Sequence, residues 1–197
     1  MRTYRLSPRG NAGFLSVQQA NLFSIAECDR IVDMCIPKWE AAGVTGYQED
    51  SRGAIRPDVR STLTQVLPVD EGGWPLQTLA DEVARLNFEV YRFALDGFVA
   101  YDPPSVLRYE SSVADHFHPH RDVGPDFPTR KLSIVVQLSA PSNYRGGSLL
   151  FPEHNEVAAT GQGTITVFPS FMVHQVTPVI SGDRFVIVCW AHGPTFA

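Results

Sequence analysis

The sequence predicts a mostly β protein with flanking helices, organised around a jelly-roll or closed barrel. Three observations carry this expectation. Before Gly97, apolar residues recur at three- and four-residue spacing in two stretches, which is the helical period. After Gly97 the pattern changes to short β-branched and aromatic runs separated by Pro, Gly, Asn and Asp. Helices first and many short strands afterwards suit a strand-built core buttressed by the early helices.

Residues 14–23 mix apolar and amide side chains and read as an early strand. Ser24 stands three residues before Glu27, a capping box in which each side chain satisfies a backbone N–H of the other. Ile25, Cys28, Ile31, Val32 and Cys35 then keep helical spacing until Pro37 stops the run. Residues 43–58 turn polar, with Gly46, Gly53 and Pro57 among Tyr47, Arg52 and Arg56, and read as a mobile connection. Arg52, Arg56 and Arg60 could meet an anionic or hydrogen-bonding substrate from there, although solvated loop arginines are the commoner case. Residues 59–67 read as a strand closed by Pro68, and residues 74–95 as the longest helix, with Leu76, Leu79, Val83, Leu86, Val90 and Phe93 along one face. Further strands are expected at 98–101, 106–109, 132–138, 148–151, 164–168 and 184–190. No internal repeat or linker interrupts the chain, so residues 1–197 are expected to form one domain, with helical support over about 1–97 and the jelly-roll core over about 98–192.

A chain of 197 residues, 44% apolar, can enclose a core without disulfide or metal staples. Sixteen Lys and Arg against 21 Asp and Glu leave a net charge of −5, so no nucleic-acid partner is expected. Cys28, Cys35 and Cys189 are odd in number and lack paired spacing, which suits core positions in a reducing compartment. No cleavable leader pattern follows Met1 and no run approaches a membrane span. A cytoplasmic protein with no membrane partner is therefore expected, and its oligomeric state leaves no signature.

His116, His118, His120 and Asp122 crowd into residues 116–122. On an extended strand alternate side chains share a face, so His120 and Asp122 can reach one ion together. Two histidines and one carboxylate on one face of an octahedron suit non-haem Fe(II), because the opposite positions stay open for substrate and dioxygen. The third ligand must come from elsewhere. His174, within the mainly apolar stretch 163–179, is the candidate, since a jelly-roll brings distant strand ends to one mouth. The ordinary alternatives are a solvated histidine loop for the first segment and a hydrogen-bonded core histidine for the second. Arg184 follows the turn Ser181-Gly182 and shares a strand face with Val186, Val188 and Trp190. If that face lines the barrel, the guanidinium needs an anion such as the carboxylate of a small diacid. If Arg184 lies at an exposed strand end, Asp183 and water suffice.

Together, His120-x-Asp122, His174, Arg184 and Trp190 resemble the Fe(II)- and 2-oxoglutarate-dependent dioxygenases, particularly the prolyl 4-hydroxylase-like branch. Gly146-Gly147-Ser148-Leu149-Leu150-Phe151, Phe168-Pro169 and His174-Gln175-Val176-Thr177-Pro178 carry the same likeness, and Arg60-Ser61 and Asn87 are also similar. The resemblance implies a double-stranded β-helix, the cupin-like form of the jelly-roll. It implies that His120, Asp122 and His174 bind Fe(II), that Arg184 clamps the distal carboxylate of 2-oxoglutarate, and that Tyr109 adds a hydrogen bond. The implied reaction hydroxylates an unactivated C–H bond, with O2 as cosubstrate, decarboxylation of 2-oxoglutarate to succinate and CO2, and ascorbate as an optional reductant. Retention of Asp122 favours hydroxylation, because related halogenases lack this carboxylate.

The chain departs from the family pattern twice. Tyr109 precedes His120 by eleven positions where nine is usual, and Ser112 replaces a Gly between them. Counting nine from Tyr109 would give a His118-x-His120 pair with no carboxylate. Ser148 stands where an acidic residue is common. Trp190, Gln137, Arg121, Arg145, His118 and Arg60 are candidates for substrate or second-sphere contacts, each with an ordinary structural role available. His154 and His192 lack comparable context. The substrate stays open among prolyl or free amino acids, peptides and small natural products, with residues 43–58 and 123–130 as the loops expected to select it. Two rival readings are a cupin-like metalloenzyme using His116, His118 and His120 without a 2-oxo acid, and a non-catalytic metal-binding module.

Overall fold

The computed structural model describes residues 18–35, 39–44 and 54–196. The expected stop at Pro37 and most of the expected mobile connection, including Arg52, lie outside the described residues. In chain order the first half supplies β1 (Gln18–Asn21), helix α1 (Ile25–Met34), β2 (Glu40–Ala41), β3 (Arg60–Ser61), β4 (Leu63–Val66) and helix α2 (Leu76–Leu86). Then come β5 (Ser105–Glu110), β6 (His116–His120), β7 (Arg130–Gln137), β8 (Tyr144–Gly146) and β9 (Leu149–Phe151). β10 (Glu156–Val157), β11 (Thr164–Pro169), β12 (His174–Val176) and the long β13 (Val179–His192) complete the chain. All the strand pairings are antiparallel. The major sheet runs β1-β11-β7-β13-β5-β4-β2, with β8 also on β13, and the minor sheet runs β10-β9-β12-β6-β3. Two antiparallel sheets with few helices form the double-stranded β-helix that the sequence leads one to expect. Residues before 98 also place β1, β2 and β4 in the major sheet and β3 in the minor one.

Alternation along β7 and β13 sorts their side chains between two cores. Leu132, Ile134 and Val136 of β7, with Ile187, Cys189 and Ala191 of β13, face the helices and meet Cys28, Ile31, Leu79, Val83 and Leu86. The opposite faces, carrying Val135 and Val186, meet Leu149, Phe151, Phe168 and Val176 in the space between the sheets. Strands covered on both sides need apolar residues at nearly every position, which is why 132–138 and 184–190 read as continuous runs. Polar residues within such strands therefore point into the barrel for a reason. Arg130, Ser133 and Arg184 line the cavity between the sheets, and Gln137 meets Arg184.

Helix α1 starts as expected. Ser24 Oγ accepts from the Glu27 backbone N–H at 3.3 Å, and Glu27 Oε2 accepts from the Ser24 N–H at 2.8 Å. Ser24→Ala is expected to lower stability by about 0.5–2 kcal/mol, read as a lower urea midpoint with an unchanged m-value. The second helix is shorter than the periodicity suggests. α2 gives way to a π-helical turn over Asn87–Tyr91, and Arg92 takes a left-handed φ of 57°. The Asn87 side chain bonds the backbone N–H and C=O of Phe93, both at 3.0 Å, and so fixes the chain as it leaves the helix. Phe93 still packs on the core, so the apolar pattern persists while the helix does not. Residues 98–101 are likewise a tight turn rather than a strand, closed by the Asp102 N–H on the Val99 carbonyl at 3.2 Å.

All three cysteines are free and buried. Burial pushes the Cys28 and Cys35 thiols up to about 11, and Cys189 well above the ordinary range. At pH 8 only about one thiol in a thousand would then be the reactive thiolate at Cys28 or Cys35. Folded protein should resist iodoacetamide at pH 8, whereas denatured protein takes three labels by intact mass.

Candidate active site

The two candidate histidine ligands meet because β12 pairs with β6 so that His174 lies directly opposite His120. Their ring centroids are 4.2 Å apart. Between this pair and the next, Val176 opposite Phe117, two steps on β12 span three on β6. That bulge at His118-Pro119 inverts the alternation, so Phe117 and His120 turn to the same side and stack at 3.5 Å. His116 and His118 consequently line a separate groove with Gln175 and Thr177. Simple alternation would have grouped all three histidines of 116–120, and the bulge separates them. The three-histidine site of the cupin-like reading is therefore not formed.

Each imidazole is held by its Nδ1. His120 Nδ1 donates to the His118 carbonyl at 2.7 Å and His174 Nδ1 to the Met172 carbonyl at 3.1 Å. A carbonyl can only accept, so in the neutral ring the proton sits on Nδ1 and Nε2 keeps its lone pair for a metal. Asp122 sits just past β6, anchored by its N–H on the Ser170 carbonyl at 3.0 Å. Its Oδ2 accepts a 2.6 Å bond from the Ser133 hydroxyl, and the Ser133 and Ser170 hydroxyls are 3.0 Å apart. Asp122 Oδ1 is 3.6 Å from His120 Nε2, and Oδ2 is 3.3 Å from His174 Nε2. One ligand atom from each of the three residues lies within 4.8 Å of the others.

The electrostatics suit a metal ligand set. Burial works against the Asp122 charge, but His174, His120 and Arg130 outweigh it and hold the carboxyl well below its usual range. Burial pushes His174 down to about 4 against the pull of Asp122, so the imidazole is neutral near pH 7. Two imidazoles, each turning Nε2 inward, and a carboxylate fit non-haem Fe(II) by donor type and number.

Beside this cluster the sheets enclose a cavity of about 400 Å³. Arg184, Val186, Val188 and Trp190 of β13 all line it, so the strand face expected to face the barrel does so. Arg184 is only 1% exposed. Its Nε donates to Gln137 Oε1 at 3.2 Å, and its Nη1 has no partner among the described residues. Asp183 pairs instead with Arg108 at 2.8 Å, which removes the exposed-end alternative for Arg184. Tyr109, 2% exposed and opposite Arg184 in the register, also lines the cavity. Its ring centroid is 5.4 Å from the guanidinium carbon. Gly147, at φ +62°, lets the chain pass close by, since a Cβ there would sit 3.0 Å from Arg184 Cδ and 2.9 Å from Val179 Cγ2.

The remaining candidates divide. Gln137 reaches the site only through Arg184. Arg121 sits exposed at the rim, donating to the Phe171 carbonyl at 2.9 Å, and His118 lies outside the cavity. Arg145 donates to Ser181 at the surface. Arg60 is not a solvated loop residue. It lines the cavity with its Nε enclosed and without a partner among the described residues, and burial lowers its pKa. Reading the sequence alone missed a network behind Trp190. Arg130, 3.5 Å from the Trp190 ring centroid, pairs with Asp102 through bonds of 2.7 and 2.8 Å, and His192 Nε2 lies 3.0 Å from the same carboxylate. Nothing local in the sequence links Asp102, Arg130 and His192.

Residues 104–192 match the family model described as the 2OG-Fe(II) oxygenase superfamily. A stretch of just under half of the chain is thus similar to that superfamily. The matched region spans β5 to β13 and includes Asp122, both histidine ligand candidates and Arg184. A PKHD-type hydroxylase of Shewanella baltica is 33% identical over 93 residues, which are 45% of this chain and 42% of that protein. The chain thus spans less than half the length of that curated relative. Among solved structures, a Pseudomonas putida prolyl-4-hydroxylase superposes with a TM-score of 0.68 at 17% identity, covering 91% of this chain and 94% of that one. A Trichoplax adhaerens prolyl hydroxylase, solved with a hypoxia inducible factor oxygen degradation domain peptide fragment, gives 0.71 at 15% identity over 92% and 84%. At these identities the likeness shows the fold alone, which the matched region and its supports share with the prolyl hydroxylases.

Proposed function

We propose that this protein is an Fe(II)- and 2-oxoglutarate-dependent hydroxylase in which His120, Asp122 and His174 hold the iron. Arg184 binds the far carboxylate of 2-oxoglutarate, and Tyr109 supports it. The observation that carries the reading is the meeting of three ligand atoms within 4.8 Å in a cavity that also contains a buried guanidinium with no carboxylate partner among the described residues. Iron bound with 2-oxoglutarate supplies the chemistry, in which O2 converts the 2-oxo acid to succinate and CO2 and one oxygen atom enters a substrate C–H bond.

The chain's own part is positional. Ser133 holds Asp122 Oδ2, which orients the carboxylate, while the Nδ1 bonds of both histidines fix the ring planes. Arg184, braced by Gln137, sets where a diacid lies and therefore which end reaches the metal. Leu107, Val135, Val186 and Val188 add an apolar stretch of wall and limit water around the reacting groups. The substrate is an amino acid, a peptide or a small molecule with an unactivated C–H bond, a class that the peptide bound to the Trichoplax neighbour supports. Iron-loaded protein supplied with 2-oxoglutarate and a panel of prolyl peptides, free amino acids and small acids should release succinate with at least one member, whose mass rises by one oxygen. Folded, iron-loaded protein that releases no succinate under any of these conditions would refute the reading.

A further inference from the structure

Charge within the cavity is unbalanced in one respect that 2-oxoglutarate and iron leave unresolved. Arg130 and Asp102 neutralise one another. The two carboxylates of 2-oxoglutarate offset a divalent metal, and the single opposite charges of Asp122 and Arg184 offset one another. Arg60 is left over. It projects from β3, in the minor sheet, whereas Arg184 projects from β13 in the major one, so the two guanidiniums line the cavity from different sheets.

The surroundings of Arg60 do not satisfy it. Nη1 donates to the Gly43 carbonyl at 3.2 Å, Nε is buried with no partner, and no carboxylate pairs with the group among the described residues. The guanidinium carbon lies 4.9 Å from the Phe117 ring centroid, and Phe117 itself stacks on His120. The charge is therefore one aromatic ring away from a metal-ligand candidate. An arginine withdrawn from water costs stability unless an anion meets it, and its planar fork suits a carboxylate.

We propose that Arg60 is the specificity determinant for a substrate bearing a free carboxylate, such as an amino acid or a short peptide presenting its C-terminus. It selects such a substrate over the uncharged interior of a longer chain. The inference rests on the proposed function for the placement of iron and 2-oxoglutarate. A cavity of about 400 Å³ is of the size that takes small ligands.

Calorimetric titration of the whole protein, loaded with Mn(II) and 2-oxoglutarate so that nothing turns over, tests this with acid and amide pairs. Suitable probes are N-acetyl-L-proline with N-acetyl-L-prolinamide, and hippurate with its amide. The acids should bind about ten-fold or more tightly than their amides. Arg60→Gln should lose that preference while still binding Mn(II) and 2-oxoglutarate, and Arg60→Lys, which keeps the charge, should retain part of it. Equal binding of acid and amide, no acid binding at all, or an undiminished preference in Arg60→Gln would overturn the proposal. Failure of the wild type to bind 2-oxoglutarate before any probe is added would instead strike at the proposed function.

Discussion

His174→Ala is expected to abolish stoichiometric iron binding and to cut succinate release at least about 1000-fold, equivalent to about 4 kcal/mol. The remaining pair, His120 and Asp122, offers two ligands where three fix an open octahedral face. Metal analysis after gel filtration, with circular dichroism to verify the fold, reads the first effect, and a coupled succinate assay reads the second. Turnover within ten-fold of wild type would place the third ligand elsewhere.

Arg184→Met is expected to leave iron binding intact and to raise the KM for 2-oxoglutarate. Methionine fills similar space without charge, so the lost element is the carboxylate contact. Removing one partner of a buried ion pair costs about 3–5 kcal/mol, corresponding to about 10²- to 10⁴-fold in affinity. The proposed iron ligands lie on β6, on β12 and beside Ser133 and Ser170, and Arg184 bonds to none of them. A variant with weak 2-oxoglutarate binding and full metal occupancy separates anion clamping from metal assembly. Joint loss of both would mean that Arg184 supports the barrel rather than the cosubstrate.

What the sequence revealed follows the range of the interactions concerned. The Ser24–Glu27 capping box joins groups three residues apart, and the pointing of Arg184 follows from the two-residue repeat of one long strand. Both were legible because each is local. The pairing of His120 and Asp122 was foreseen on simple alternation, yet the actual geometry depends on a bulge at His118-Pro119 that alternation does not contain. Without that bulge His116 and His118 would have seemed equal candidates. The end of α2 was hidden for a related reason, since the apolar spacing runs on through Val90 and Phe93 while the Asn87 amide closes the helix. Short strands such as β8 and β10 hold too few residues to show a period. Arg60 resembled a loop arginine because only the pairing of β3 with β6 places it in the cavity. The Asp102–Arg130–His192 network joins residues as much as 90 positions apart, beyond any sequence pattern.

Anaerobic titration of the apoprotein with Fe(II) and 2-oxoglutarate tests the central claim most directly, since a visible charge-transfer band requires the metal and the 2-oxo acid to sit in one site. The band should appear at one equivalent of each, vanish in His174→Ala, and need far more 2-oxoglutarate in Arg184→Met. Correctly folded wild-type protein that stays colourless under these conditions would contradict the account.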